Sequence, residues 1–195
     1  MGKRSDFERI EKDQYLTPES AVKPLIPFLP HGRFTFAEPC AGDGRLIRHI
    51  EDLTSARCVS MSDIAPRDYD APQIAGIVQR DARDLTFSDL NGADVIITNP
   101  PWSRDKKSGY LLHNLITVFA NLRPTWLLFD ADWMHTVQAQ PFLADYCTHI
   151  VSVGRVKWME GTNQTGKDNV AWYAFCPEAR RHTKAPLFYG RGITP

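Results

Sequence analysis

With 195 residues, 43% of them hydrophobic, the chain can bury one substantial core but is too short for several domains. Its 23 Lys and Arg match 23 Asp and Glu, which argues against a protein that coats nucleic acid over its whole surface and leaves room for a local basic groove. Cys40, Cys58, Cys147 and Cys176 lack CxxC spacing, which argues against a zinc site or a disulfide framework and predicts reduced, mostly buried thiols.

Residues 1–13 are charged, with no apolar h-region, and no run of the chain is apolar and long enough to span a bilayer. A cytoplasmic protein is expected, with 1–13 as a polar lead-in. In DQYLTPESAVKPLIPFL, Thr17 is placed as a helix N-cap and Pro18 at the first helical position, with the helix interrupted or ended near Pro24 and Pro27. FTFAEP predicts a first strand. CAGDGRLIRHIEDL predicts a glycine turn and then a helix with Leu46, Ile47, Ile50 and Leu53 on one face.

ARCVSMSD reads as the second strand, IAGIVQRD as the third, ending at Asp81, and ADVIITNPP as the fourth. SGYLLHNLITVFANL is an amphipathic helix, PTWLLFDADW the fifth strand, QPFLADYC a short helix and HIVSVGRVKW the sixth strand. EGTNQTGKDN is a polar turn, VAWYAFCP the seventh strand, and residues 178–195 a basic tail carrying Arg180, Arg181, His182 and Lys184. Strands alternating with helices predict an α/β fold, a mostly parallel seven-stranded sheet with helices on both faces. The last two strands have no helix between them and predict an antiparallel terminal hairpin.

In such a sheet a ligand lies at the carboxyl ends of the strands, near the point where strand order reverses. Three turns there carry suitable chemistry. In EPCAGDG, Gly42 and Gly44 let backbone approach a ligand, although G-x-G alone is a weak signal. Asp63 ends the second strand, where a carboxylate can hold ribose hydroxyls, and Asp81 ends the third, where an acid or a neighbouring backbone group can bond an adenine amine.

The fourth strand runs into Asn99-Pro100-Pro101-Trp102. Two adjacent prolines forbid helix and remove two backbone donors. An amine on an aromatic ring is a poor nucleophile because its lone pair is delocalised. Two fixed acceptors can hold its N–H bonds and turn the lone pair towards an electrophile, by preorganisation and orientation. The Asn99 side-chain oxygen can be one such acceptor and the Pro100 carbonyl the other, and the Trp102 ring supplies a face on which a base can stack.

On these residues the chain resembles the amino-methyltransferases that use S-adenosylmethionine, most closely the DNA N6-adenine branch. Asn99-Pro100-Pro101-Trp102 is similar to that family's catalytic [DNS]-P-P-[YFW] motif, with Trp where Tyr or Phe is usual. Glu38-Pro39-Cys40-Ala41-Gly42-Asp43-Gly44 is similar to its first cofactor motif, and Tyr15-Leu16-Thr17-Pro18 to a motif that closes over the methionine part of the cofactor. Their order matches the gamma arrangement, and the resemblance spans roughly Gln14 to Pro177.

The resemblance implies a Rossmann-like class I methyltransferase. It implies a cofactor site of Tyr15, Thr17, Pro18, Glu38, Pro39, Cys40, Ala41, Gly42, Gly44, Asp63, Asp81 and Asn99, with Glu38 facing the methionine end. It implies metal-independent methyl transfer to adenine N6 in DNA, after the base is rotated out of the duplex. GRVKWMEGTNQTGKDNVAWYAF resembles the terminal hairpin of small phage-type and bacterial enzymes, and a single domain over 1–195 without a separate target-recognition domain is expected.

Two basic loops are placed to hold phosphates: Arg104, Lys106 and Lys107 after the catalytic turn, and Arg155, Lys157 and Lys167 on the hairpin. Trp158 is a candidate second stacking surface opposite Trp102. His113, Asp130 and Asp132 are given no catalytic role. Cytosine N4, an RNA base amine or a glutamine amide remain open as alternative acceptors, as does a catalytically inactive nucleic-acid-binding module.

Overall fold

The computed structural model describes residues 16–66, 76–102, 104–105, 109–158, 166–182 and 185–195. Its strands are β1 (Thr35–Glu38), β2 (Arg57–Asp63), β3 (Val78–Gln79), β4 (Val95–Thr98), β5 (Arg104–Asp105), β6 (Gly109–Tyr110), β7 (Thr125–Asp130), β8 (Cys147–Arg155), β9 (Asn169–Phe175) and β10 (Leu187–Tyr189). Its α-helices are α1 (Glu19–Val22), α2 (Arg45–Leu53), α3 (Leu111–Leu122), α4 (Gln140–Asp145) and α5 (Pro177–Arg180). Among the described residues, eight strands form one sheet in the order β10-β8-β9-β7-β4-β1-β2-β3, and β5 and β6 form a small antiparallel ribbon. Within the large sheet only β9 runs against its neighbours, β7 and β8.

The central strands are apolar at almost every position because both faces are covered. Side chains alternate between faces. On β7, Trp126 and Leu128 enter one core cluster while Leu127 and Phe129 enter the other; on β9, Val170, Trp172 and Ala174 part from Ala171, Tyr173 and Phe175 in the same way. The first cluster is closed by Ala21, Val22 and Leu25 at the N-terminal helix and Leu46, Ile47 and Ile50 of α2, the second by Leu112, Leu115, Ile116 and Phe119 of α3. The Trp172 indole N–H donates 2.8 Å to the Ala21 carbonyl, tying α1 to the sheet.

The strand order reverses at β1, with β2 and β3 on one side and β4 on the other. The crevice at this reversal is bounded by the turns that leave β1 and β4, which are the glycine turn and Asn99-Pro100-Pro101-Trp102.

Several elements differ from the sequence expectation. The sheet has eight strands rather than seven, because Leu187–Tyr189 pair in parallel with β8 at the edge. Residues 178–195 are therefore not simply a basic tail: α5 forms, and Arg180 is buried with its Nε donating to the Leu143 carbonyl. Thr17 does not cap the first helix; Pro18 takes the N-cap position without a side-chain bond, and Pro24 and Pro27 lie in a 3-10 stretch, Lys23–Phe28. The third strand shrinks to Val78–Gln79, and Asp81 caps the short 3-10 turn after it. Only Cys147 is fully buried; the other three thiols are half-buried. No helix among the described residues is long and apolar enough to cross a membrane.

Candidate active site

The glycine turn leaves β1 at Glu38 and enters α2 at Arg45. Gly42 and Gly44 have φ of 53° and 73°, left-handed values that a Cβ disfavours, and a Cβ built on Gly42 meets nothing within 4 Å, so the turn faces open space. The turn is clamped to the end of β2. The Ala41 N–H donates to the Ser62 carbonyl at 2.9 Å and the Gly42 N–H donates to Asp63 Oδ2 at 2.8 Å. Asp63 Oδ1 accepts from the Ala65 N–H at 2.8 Å. The Asp63 carboxylate is thus a brace for the turn, and each oxygen keeps a second lone pair for a ligand hydroxyl.

Glu38 is 2% exposed, and its Oε2 has no hydrogen-bond partner among the described residues. On the flanking strands, Ser62 Oγ and Thr98 Oγ1 are also buried without partners. Burial first, then repulsion from Asp43 and Asp63, pushes the Glu38 carboxyl well above the usual carboxylate range. A buried carboxyl oxygen without a donor is costly, and a cation or an N–H donor relieves the cost. The methionine end of S-adenosylmethionine carries an ammonium and a sulfonium, so these residues fit that cofactor. Burial also pushes up the Cys40 and Cys58 thiols, Cys58 to about 12, so neither stands as a thiolate at neutral pH.

Asp81 lies two residues beyond β3. Its carboxylate accepts from the Arg83 backbone N–H and from the Arg83 guanidinium, which holds it below the ordinary carboxylate range. Ile64, directly after Asp63, and Val78 on β3 are each 53% exposed, apolar surface that an aromatic ring can cover. The sequence reading passed over both; the signal was an apolar residue adjoining an acid at a strand end.

At the Asn99-Pro100-Pro101-Trp102 turn Asn99 is half-buried and Pro100 is buried. Asn99 Nδ2 donates to Thr17 Oγ1 at 3.1 Å, across 82 positions of sequence, and Thr17 is 5% exposed. This bond takes the amine end of the amide and directs Oδ1 the other way. Neither Oδ1 nor the Pro100 carbonyl accepts a hydrogen bond from a described residue, so two acceptors on a rigid turn are left for a ligand. The Trp102 indole N–H donates to the Leu128 carbonyl at 3.2 Å, which fixes the ring against β7. The Trp158 ring meets Trp102 edge-on, with centroids 5.8 Å apart and planes at 82°. In this arrangement the two indoles are perpendicular walls, not a parallel-sided slot. Gly166 closes against Trp158: a Cβ there would stand 3.1 Å from the Val156 carbonyl oxygen and 3.2 Å from Trp158 Cδ1.

The structure therefore gathers Thr17, Glu38, Gly42, Asp63, Asn99 and Trp102 around the turns leaving β1, β2 and β4, with Trp158 beside them. Lys157 and Lys167 are exposed at the base of the β8–β9 hairpin. Tyr15, Lys106 and Lys107, and the Arg104 side chain, lie outside the described residues. His113 packs instead of facing the site: its Nε2 accepts from the Trp133 indole N–H at 3.0 Å, and burial lowers its pKa.

No family model matches the chain, and no curated protein matches it in sequence. Solved structures match it in shape. A candidate class I S-adenosylmethionine-dependent methyltransferase from Listeria monocytogenes superposes with a TM-score of 0.62 at 12% identity, over 95% of this chain and 68% of that one. The fold is that of a class I methyltransferase. A candidate RNA methyltransferase from Pyrococcus horikoshii gives 0.56 at 14% identity, over 90% and 93% of the two chains. A type I restriction-modification system structure gives 0.56 at 14% identity, over 95% of this chain and 46% of that one. The chain thus spans less than half the length of that restriction-modification protein. At these identities the likeness is one of fold.

Proposed function

We propose that this chain transfers a methyl group from S-adenosylmethionine to the N6 amine of adenine in DNA. The observation that carries the reading is the Asn99 amide, held through Nδ2 by Thr17, with neither its Oδ1 nor the Pro100 carbonyl accepting a hydrogen bond from a described residue. Bound cofactor supplies a methyl group already activated on a sulfonium, so no metal is needed. Asn99 Oδ1 and the Pro100 carbonyl hold the two N–H bonds of the amine and turn its lone pair towards the methyl group. On transfer the nitrogen would gain the methyl as the methyl's bond to the sulfonium breaks, leaving the neutral thioether, and would release one proton to solvent. The Glu38 carboxylate would hold the ammonium of the cofactor, and the glycine turn braced by Asp63 would let the chain approach it closely. The similarity of fold to a restriction-modification protein supports DNA as the substrate.

A second reading keeps the chemistry and exchanges DNA for RNA; the near-complete coverage of the Pyrococcus horikoshii structure favours it. Incubation with cofactor and unmethylated duplex DNA, or with RNA, followed by digestion to nucleosides and mass spectrometry, separates the two. N6-methyladenine in the DNA digest is the expected product. Methylated nucleosides in RNA alone, or N4-methylcytosine alone, would overturn the adenine-DNA reading.

A further inference from the structure

Beyond the catalytic turn, on the same edge of the sheet, a cleft of about 490 Å³ opens between the segment after β7, the β8–β9 hairpin and the end of the chain. Its volume is that of a ligand-binding pocket. Arg155, Asn169, Phe188, Arg191, Asp132 and His135 line it. The topology puts them together. β8 ends here at Arg155, antiparallel β9 begins here at Asn169, the two are paired in register, and β10 brings Phe188 and Arg191 alongside.

The cleft has a built floor. The β8 ladder shifts register between Ser152 and Gly154, and Gly154 takes φ of 87°, where side-chain-bearing residues are strained. Arg191 lies across this bulge: a Cβ at position 154 would stand 3.6 Å from Arg191 Cδ and 3.7 Å from its Nη1. Arg155 is the next residue along. Two guanidinium groups are therefore collected at one place, and among the described residues neither forms an ion pair, with Asp132 or with any other carboxylate. Asp132 is the one carboxylate among the described residues of the lining, against Arg155 and Arg191, so the fixed charge of that lining is positive. Phe188 is 59% exposed beside these cations. Forked cationic donors, an amide and an open aromatic face are the chemistry that holds a phosphodiester and a nucleobase.

We propose that this cleft holds the DNA backbone beside the methylated base, with Arg155 and Arg191 on phosphate and Phe188 against a flanking base or sugar. The inference rests on the DNA reading of the active site. β9 and β8 lie two and three ladders from β4. At about 4.8 Å per ladder this is about 10–14 Å, and at about 3.4 Å per nucleotide it is roughly three to four nucleotides from the base at Asn99.

The test is the salt dependence of binding of a fluorescent duplex to the full chain with S-adenosylhomocysteine present, for the wild type, Arg155→Ala/Arg191→Ala and Arg155→Lys/Arg191→Lys. Each lost phosphate contact lowers the slope of log K against log salt by about 0.9, equivalent to about 8-fold in affinity at 0.1 M salt. The double alanine variant is expected to lose about 1.8 in slope, with thermal melting and cofactor affinity unchanged, and the double lysine variant to retain most of the slope. Trimming the duplex to fewer than about three pairs on one flank of the methylated adenine should remove the wild type's advantage. Wild-type binding that the alanine variant reproduces in affinity and slope overturns the cleft assignment alone. A wild type that binds no DNA overturns it together with the DNA reading.

Discussion

Replacing Thr17 with valine removes the hydroxyl that receives Asn99 Nδ2 at 3.1 Å while nearly preserving shape. Without it the amide is free to rotate, and in the flipped state it offers N–H to an amine that needs an acceptor. A net hydrogen bond is worth about 0.5–1.5 kcal/mol, so methyl-transfer kcat should fall about 2- to 12-fold at 1.4 kcal/mol per decade. Because Asn99 is half-buried, water can replace the lost acceptor, and the melting temperature should move by only a few degrees, about 2–4 °C for 1 kcal/mol in a chain of this size. Thr17→Ser keeps the hydroxyl and should restore kcat. Steady-state kinetics with both substrates varied separates the outcomes. A valine variant with unchanged kcat and a raised KM for the cofactor would show that Thr17 serves the cofactor and does not orient Asn99.

Glu38 makes a pH prediction. Its native carboxyl is raised above the unfolded value, so the native state holds a proton that the unfolded chain releases, and stability falls as pH rises through that window. Melting from about pH 5 to about pH 8 should show this fall in the ligand-free wild type and a flatter profile in Glu38→Gln; identical profiles would refute it. The same variant loses a charge-assisted bond worth about 1.5–3 kcal/mol, so titration calorimetry should find cofactor affinity reduced about 12- to 140-fold, and unchanged affinity would remove Glu38 from the site. Gly166→Ala presses a Cβ onto the Val156 carbonyl and Trp158, and overpacking of this kind costs about 1–3 kcal/mol. A lower melting temperature with altered tryptophan fluorescence is expected, and a variant unchanged in both would contradict the close packing at the hairpin base.

The layout of the fold was legible because periodicity reports burial. The runs at residues 95–97 and 126–129 are apolar throughout, as two-sided burial requires, and α3 shows its stripe. β10 was hidden because Leu187–Tyr189 is three residues between Pro186 and Gly190 in a basic stretch, and its pairing with β8 is a long-range contact that composition does not record. The chemistry of the turns was legible as residue types, and their partners were not. That Thr17 meets Asn99 rather than capping a helix depends on the strand order bringing residues 82 apart together. That Asp63 braces Gly42 depends on β1 and β2 being neighbours. The edge-on meeting of Trp102 and Trp158 depends on the indole bond to Leu128, which no pattern in Asn99-Pro100-Pro101-Trp102 encodes.

The central claim is that Asn99 presents an acceptor to an adenine amine beside bound cofactor. The measurement that tests it most directly is N6-methyladenine formed in unmethylated duplex DNA by the wild type and by Asn99→Ala, with cofactor affinity measured on both. The account predicts N6-methyladenine from the wild type, loss of one oriented acceptor worth about 10²–10³-fold in rate in the variant, and cofactor affinity changed little. Equal methylation by the two proteins, or none by a wild type that binds the cofactor, would contradict it.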